Sequence, residues 1–157
     1  MTVRKSVTVK RPLADAFSLF TEQIGSWWPL KEGFSFGGER AKEIYLETRQ
    51  GGRFYERFTD GEEYVVGQVT ACEPLRRIVF TWEDPEWEGP TEVEVRFAAE
   101  GNATRVEVEH RGWEVGPKAT AAGKSYDGGW DFVLSKYTAA ACCELGGVSL
   151  FRIEEGS

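Results

Sequence analysis

A chain of 157 residues that is 41% hydrophobic and 13% aromatic can bury a sizeable core and is too apolar to stay disordered. Its net charge of −7, with acidic and basic residues interleaved, argues against a phosphate-binding surface and so against nucleic acid as a partner. No apolar run approaches the roughly 18 residues of a membrane span, so no membrane partner is expected, and the three cysteines form no disulfide framework.

The N-terminus enters strand-like alternation directly, with Val3, Val7 and Val9 on one face and no apolar export signal before them, so the expected location is cytoplasmic. Arg11-Pro12 then turns the chain. Leu13, Ala16, Phe17 and Phe20 keep helical spacing, and a second short turn carrying Ile24, Trp27 and Trp28 stops at Pro29. Residues 31–40, rich in Gly, Lys and Glu, read as a loop.

Short strands follow at close intervals: 41–48, 53–59, 63–72, 77–83, 91–99 and 104–113. Turn residues separate them, among them Gly51-Gly52, Asp60-Gly61, Glu73-Pro74 and Gly101-Asn102. No insertion between them is long enough for a crossover helix, so the sheet is expected to be antiparallel. Alternation assigns the faces. Val93, Val95 and Phe97 share one side, as do Val106 and Val108, Ile78, Phe80 and Trp82, Ile44 and Leu46, and Phe54 and Phe58. The same parity carries two polar residues inward, Glu56 between Phe54 and Phe58, and His110 two residues beyond Val108.

Past Trp113, the stretch 114–124 reads as an irregular or short helical approach. The long helix is expected from near Ser125, with Trp130, Val133, Leu134, Tyr137 and Ala141 on one face, and it should end near Gly146-Gly147. A tail over 148–157, with Leu150, Phe151 and Ile153, could dock loosely. One domain over 1–157 is expected, its helix covering the inner face of the sheet.

The motifs Gly51-Gly52-Arg53-Phe54-Tyr55-Glu56-Arg57, Gly67-Gln68-Val69, Glu73-Pro74, Ile78-Val79-Phe80-Thr81-Trp82, Glu92-Val93-Glu94-Val95-Arg96-Phe97, Thr104-Arg105-Val106, Glu109-His110-Arg111-Gly112-Trp113 and Gly129-Trp130 occur in that order. Together they make the chain resemble the heat-shock protein 90 ATPase activator homologues over roughly residues 1–143. These belong to the SRPBCC superfamily, with START-like and birch-pollen allergen-like relatives. The resemblance implies an α+β helix-grip fold: a curved antiparallel sheet of about seven strands around a long C-terminal helix, with two short helices after the first strand. It also implies an apolar cavity between sheet and helix.

Chemical motifs are sparse. Gly123-Lys124-Ser125 lacks the glycine a phosphate loop needs at position 118, which is Lys118. A lone histidine and no Cys-x-x-Cys leave no metal site, and no cofactor is expected. Glu56, aimed inward, must find a donor such as His110 or Arg57, sit in a salt bridge near the sheet edge, or take up a proton. His110 is either a buried histidine bonded to backbone or a polar anchor in the cavity. The expected ligand wall is Phe54, Glu56, Phe58, Phe80, Trp82, Val95, Val108, His110, Trp130, Leu134 and Tyr137.

This composition points to a small apolar or aromatic ligand with one polar end, bound by a monomer or homodimer. Two alternatives remain open at this stage: contact with a chaperone, by analogy with the activators, and a cyclase or aromatase using the cavity, although no catalytic motif is present.

Overall fold

The computed structural model describes residues 1–142. β1 (Val3–Val9) leads into α1 (Leu13–Phe20), followed by three short 3-10 turns at Ile24–Ser26, Leu30–Glu32 and Gly38–Arg40. Six strands come next: β2 (Ala41–Leu46), β3 (Arg53–Phe58), β4 (Glu63–Glu73), β5 (Arg77–Trp82), β6 (Thr91–Glu100) and β7 (Ala103–Arg111). A last 3-10 turn, Trp113–Val115, precedes α2 (Pro117–Cys142).

The strands form one antiparallel seven-stranded sheet in the order β1-β7-β6-β5-β4-β3-β2. β2 to β7 are a meander. The first strand closes onto the last, with Val3 opposite His110 and Val9 opposite Thr104. Register shifts interrupt β2–β3, β3–β4 and β4–β5, and such bulges bend and twist a strand, which is how the sheet curls round α2. Gly67 marks the tightest place, because a Cβ there would lie 1.7 Å from the Thr81 carbonyl oxygen. Only glycine lets the bulged strand approach its neighbour this closely.

Strand parity agrees with the observed burial. Val93, Val95, Ile78, Phe80, Val106, Val108, Ile44, Phe54, Glu56 and His110 are all at most 2% exposed. The outer face instead carries carboxylate–guanidinium pairs, such as Arg77 with Glu94, Arg96 with Glu107 and Arg111 with Glu92.

The long helix begins earlier than apolar spacing indicates. It runs unbroken from Pro117, so 117–124, expected as part of an irregular or short helical approach, is the first part of the long helix, and only 114–116 precede it. Pro suits a first helical position, and the small residues that follow, Ala119 and Gly123, are buried without giving a strong apolar signal. Gly123 brings the helix backbone against the Trp113 ring, 3.1 Å from where a Cβ would stand. The Glu88 carboxylate, from the loop before β6, accepts the backbone N–H groups of Lys118 and Ala119. It thus satisfies two donors the helix start leaves unpaired.

Among the described residues Cys72 and Cys142 are free thiols, and no helix is long and apolar enough to cross a membrane. Cys143, the helix end near Gly146-Gly147 and the docking of Leu150, Phe151 and Ile153 lie outside the described residues.

Candidate functional site

Sheet and helix do not close on each other everywhere. A cavity of about 710 Å³ remains, inside the range of roughly 300–1,000 Å³ typical of small-molecule sites. One side is α2, through Ser125, Tyr126, Gly128, Gly129, Trp130 and Val133. Ile44, Phe54, Glu56, Val66 and Trp82 form the sheet side, with Asp84 just beyond β5. The segment before β2 closes the third side with Trp28, Gly33, Phe34, Ser35 and Phe36.

The glycine pair in α2 accounts for the space. A Cβ at Gly128 would meet nothing within 4 Å, and one at Gly129 would meet only Phe34, at 3.5 Å. Two adjacent glycines cost a helix stability, and here they leave the mouth open beside exposed Ser125. Seven lining residues are aromatic. Trp28 sits at their centre, its ring 5.9 Å from Phe54, 6.1 Å from Trp82 and 6.1 Å from Trp130. Its indole N–H donates to the Phe34 carbonyl at 2.8 Å, and Phe34 stacks on Phe132 of α2 at 5.2 Å.

Glu56 is 1% exposed, yet neither His110 nor Arg57 is its partner. Its two carboxylate oxygens accept the backbone N–H groups of Phe36, at 2.7 Å, and Gly37, at 3.1 Å. Arg57 pairs with Glu43 and Glu63 on the other face. Burial raises the Glu56 pKa above the ordinary carboxylate value, and the two backbone donors oppose that shift. The carboxylate therefore ties the Phe34–Gly37 wall to β3. In Glu56→Ala the two N–H groups lose their acceptor, a loss worth about 1–3 kcal/mol. Amide exchange at Phe36 and Gly37 should then accelerate, and unchanged protection at both would refute the tie.

His110 is fully buried, and its partners are side chains rather than backbone. The Trp130 indole N–H, which can only donate, lies 3.0 Å from Nδ1. Nδ1 must therefore accept, which puts the ring proton on Nε2. Nε2 donates to Thr91 Oγ1 at 2.7 Å, and that hydroxyl donates to the Trp82 carbonyl at 3.1 Å. Burial lowers the His110 pKa to about 3. With both nitrogens occupied the imidazole stays neutral, a strut joining β7, β6, β5 and α2.

Of the residues expected at the ligand wall, Phe54, Glu56, Trp82 and Trp130 line this cavity, and seven others do not. Phe58 lies under the Arg40 guanidinium, and Phe80 packs on Phe54 from behind. Val95, Val108 and His110 are filled core. Leu134 lines a separate groove of about 340 Å³ with Lys5 and Val7. Tyr137 is engaged by α1: its hydroxyl donates to the Ala16 carbonyl at 2.8 Å, and its ring meets Phe20 and Trp27. Parity fixes the face a residue shares; it does not say that α1 plugs one end of the grip. Sequence reasoning also missed Phe34, Phe36, Asp84 and Tyr126. Aromatic residues inside a glycine-rich loop were the available signal for the first two.

Trp82 carries the one buried side-chain polar atom among the described residues that lacks a hydrogen-bond partner, its indole N–H. The Tyr126 phenol is near enough to feel it, since the N–H draws the phenol pKa down, but the pair lies outside hydrogen-bond geometry. Burial dominates and takes Tyr126 up to about 12.

The sequence profile of the activator of Hsp90 ATPase homolog 1-like proteins matches residues 10–140, a span that contains every wall of the cavity. The chain belongs to this family. Solved structures similar to this Hsp90-activator-like chain include protein MLL2253 from Mesorhizobium loti, 18% identical with a TM-score of 0.66, covering 88% of this chain and 95% of that one. Protein CV1439 from Chromobacterium violaceum is 20% identical with a TM-score of 0.66, over 91% and 98%. These two attest the fold. The anthrahydroquino-gamma-pyrone synthase Txn09 is 31% identical with a TM-score of 0.54, over 80% of this chain and 86% of that one. Curated proteins give no match.

Proposed function

We propose that this chain binds a small, mainly apolar or aromatic molecule between sheet and helix, as a cytoplasmic binding protein. The observation that carries this reading is the cavity of about 710 Å³ with seven aromatic walls. Aromatic walls with a few convergent polar groups are the ordinary make-up of a small-molecule site. Glu56, Asp84, Ser125 and the Tyr126 hydroxyl supply the polar end.

Two measurements test it. Native mass spectrometry of the purified protein should reveal a co-purifying small molecule, and Gly128→Phe should abolish its retention by filling the mouth. Because nothing stands within 4 Å of a Cβ at Gly128, the variant should fold. Removing the helical glycine should even add about 0.5–1 kcal/mol, which Gly128→Ala isolates. A Gly128→Phe protein that keeps wild-type affinity for a ligand would place binding elsewhere.

The 31% identity with a synthase favours a second reading, in which the bound molecule is also converted. Buried Glu56 is then the group that takes or gives the proton, and turnover of the co-purified compound by wild type but not Glu56→Gln distinguishes this from simple binding. Contact with Hsp90 is the third reading, tested by whether the purified chain raises the chaperone's ATPase rate.

A further inference from the structure

The charge of the cavity is one-sided. Glu56 and Asp84 are among its walls, and no Lys, Arg or His is. Carboxylates elsewhere are widely paired with cations: Glu43 and Glu63 with Arg57, Glu47 with Arg53, Glu94 with Arg77 and Arg111, Glu32 with Lys136. Glu56 and Asp84 have no cation within ion-pair distance among the described residues. Among the described residues the Asp84 carboxylate accepts only the backbone N–H of Glu86, and the Glu56 carboxylate only those of Phe36 and Gly37. The aromatic residues Trp28, Phe34, Phe36, Phe54 and Trp82 line the same cavity, and the electron-rich face of an aromatic ring attracts a cation.

We propose that the cavity selects an aromatic molecule bearing a protonated amine, and rejects the same molecule bearing a carboxylate. This rests on the cavity being a ligand site. Two uncompensated carboxylates in a partly dehydrated space repel an anion more strongly than they would in water. The same walls reward an ammonium twice, through the carboxylates and through the rings. Burial makes the ionised form of Glu56 costly, and a bound ammonium supplies the counter-charge the protein does not. The one unmatched donor on the wall, the Trp82 N–H, is a dipole beside the Tyr126 phenol. It can serve a carbonyl or hydroxyl on the ligand body but does not offset two formal charges.

The test uses three ligands with one aromatic body: naphthylmethylamine, naphthylmethanol and naphthoate, titrated calorimetrically into the full chain at neutral pH. The amine should bind about tenfold or more tightly than the alcohol, and the carboxylate most weakly. Asp84→Asn should weaken the amine more than the alcohol and so narrow the amine's advantage, and Gly128→Phe should remove the binding of all three. Naphthoate binding as tightly as the amine, or an amine preference that survives both Asp84→Asn and Glu56→Gln, overturns the charge selection while leaving the cavity a ligand site. If none of the three binds but an uncharged ligand co-purifies, the selection is again refuted and the site stands. If nothing binds and nothing co-purifies, both fail together.

Discussion

Trp130→Ala should destabilise the protein by about 3–5 kcal/mol, the range for truncating a large buried aromatic side chain. Trp130 is 3% exposed, and its ring meets Trp28 at 6.1 Å and Trp82 at 6.0 Å. The substitution removes those contacts and enlarges the cavity that Trp130 lines. It also takes away the N–H that satisfies His110 Nδ1, leaving a buried acceptor unpaired. Trp130→Phe keeps an aromatic ring while losing the donor and part of the indole's bulk, and should cost less than the alanine variant, about 1–3 kcal/mol. Urea denaturation of both variants checks the pair. A shift below about 1 kcal/mol for the alanine variant would mean that Trp130 does not hold α2 to the sheet.

Acid should weaken the fold through His110. The folded imidazole has its pKa lowered to about 3, against an ordinary 6.5, so as pH falls the unfolded chain takes up the proton first. The stability is therefore fully present above the ordinary value and is lost progressively as pH falls through the window between the two. By about pH 4 this one group should cost about 3 kcal/mol. The outer-face carboxylates, such as Glu94 and Glu107, lie below their ordinary values and add acid lability of their own, so a variant must isolate the histidine. His110→Gln can accept from Trp130 and donate to Thr91 but does not titrate. It should be less stable than wild type at neutral pH, and the gap should close by about 3 kcal/mol at about pH 4. A gap that is the same at both pH values would contradict a buried neutral histidine.

The two predictions meet in one hydrogen bond, between residues 20 positions apart, and the strut it completes stands behind the aromatic wall. Trp82 belongs to both, through its carbonyl in the His110 chain and its ring in the cavity. Loss of the strut should therefore reach ligand affinity as well as stability.

What the sequence determined by itself is the set of strands and the face each residue takes. Val93, Val95 and Phe97, or Phe54, Glu56 and Phe58, point inward because the period of a strand is two, a property of a few consecutive residues. The turns between strands are equally local, and so is the apolar face of α2 around Trp130, Val133 and Tyr137. The tertiary structure alone decided where along that inner face the space lies. Whether Tyr137 or Trp130 faces the cavity depends on α1, more than a hundred residues away in the chain, whose Ala16 and Phe20 occupy one end of the grip. The start of α2 at Pro117 depends likewise on Glu88 reaching it from another loop. Glu56 took backbone donors from Phe36 and Gly37 instead of a charged partner because the fold, and not the local sequence, brought that loop within 2.7 Å. Alternation encodes direction; depth, partners and empty volume arise from contacts between distant segments, which no local pattern records.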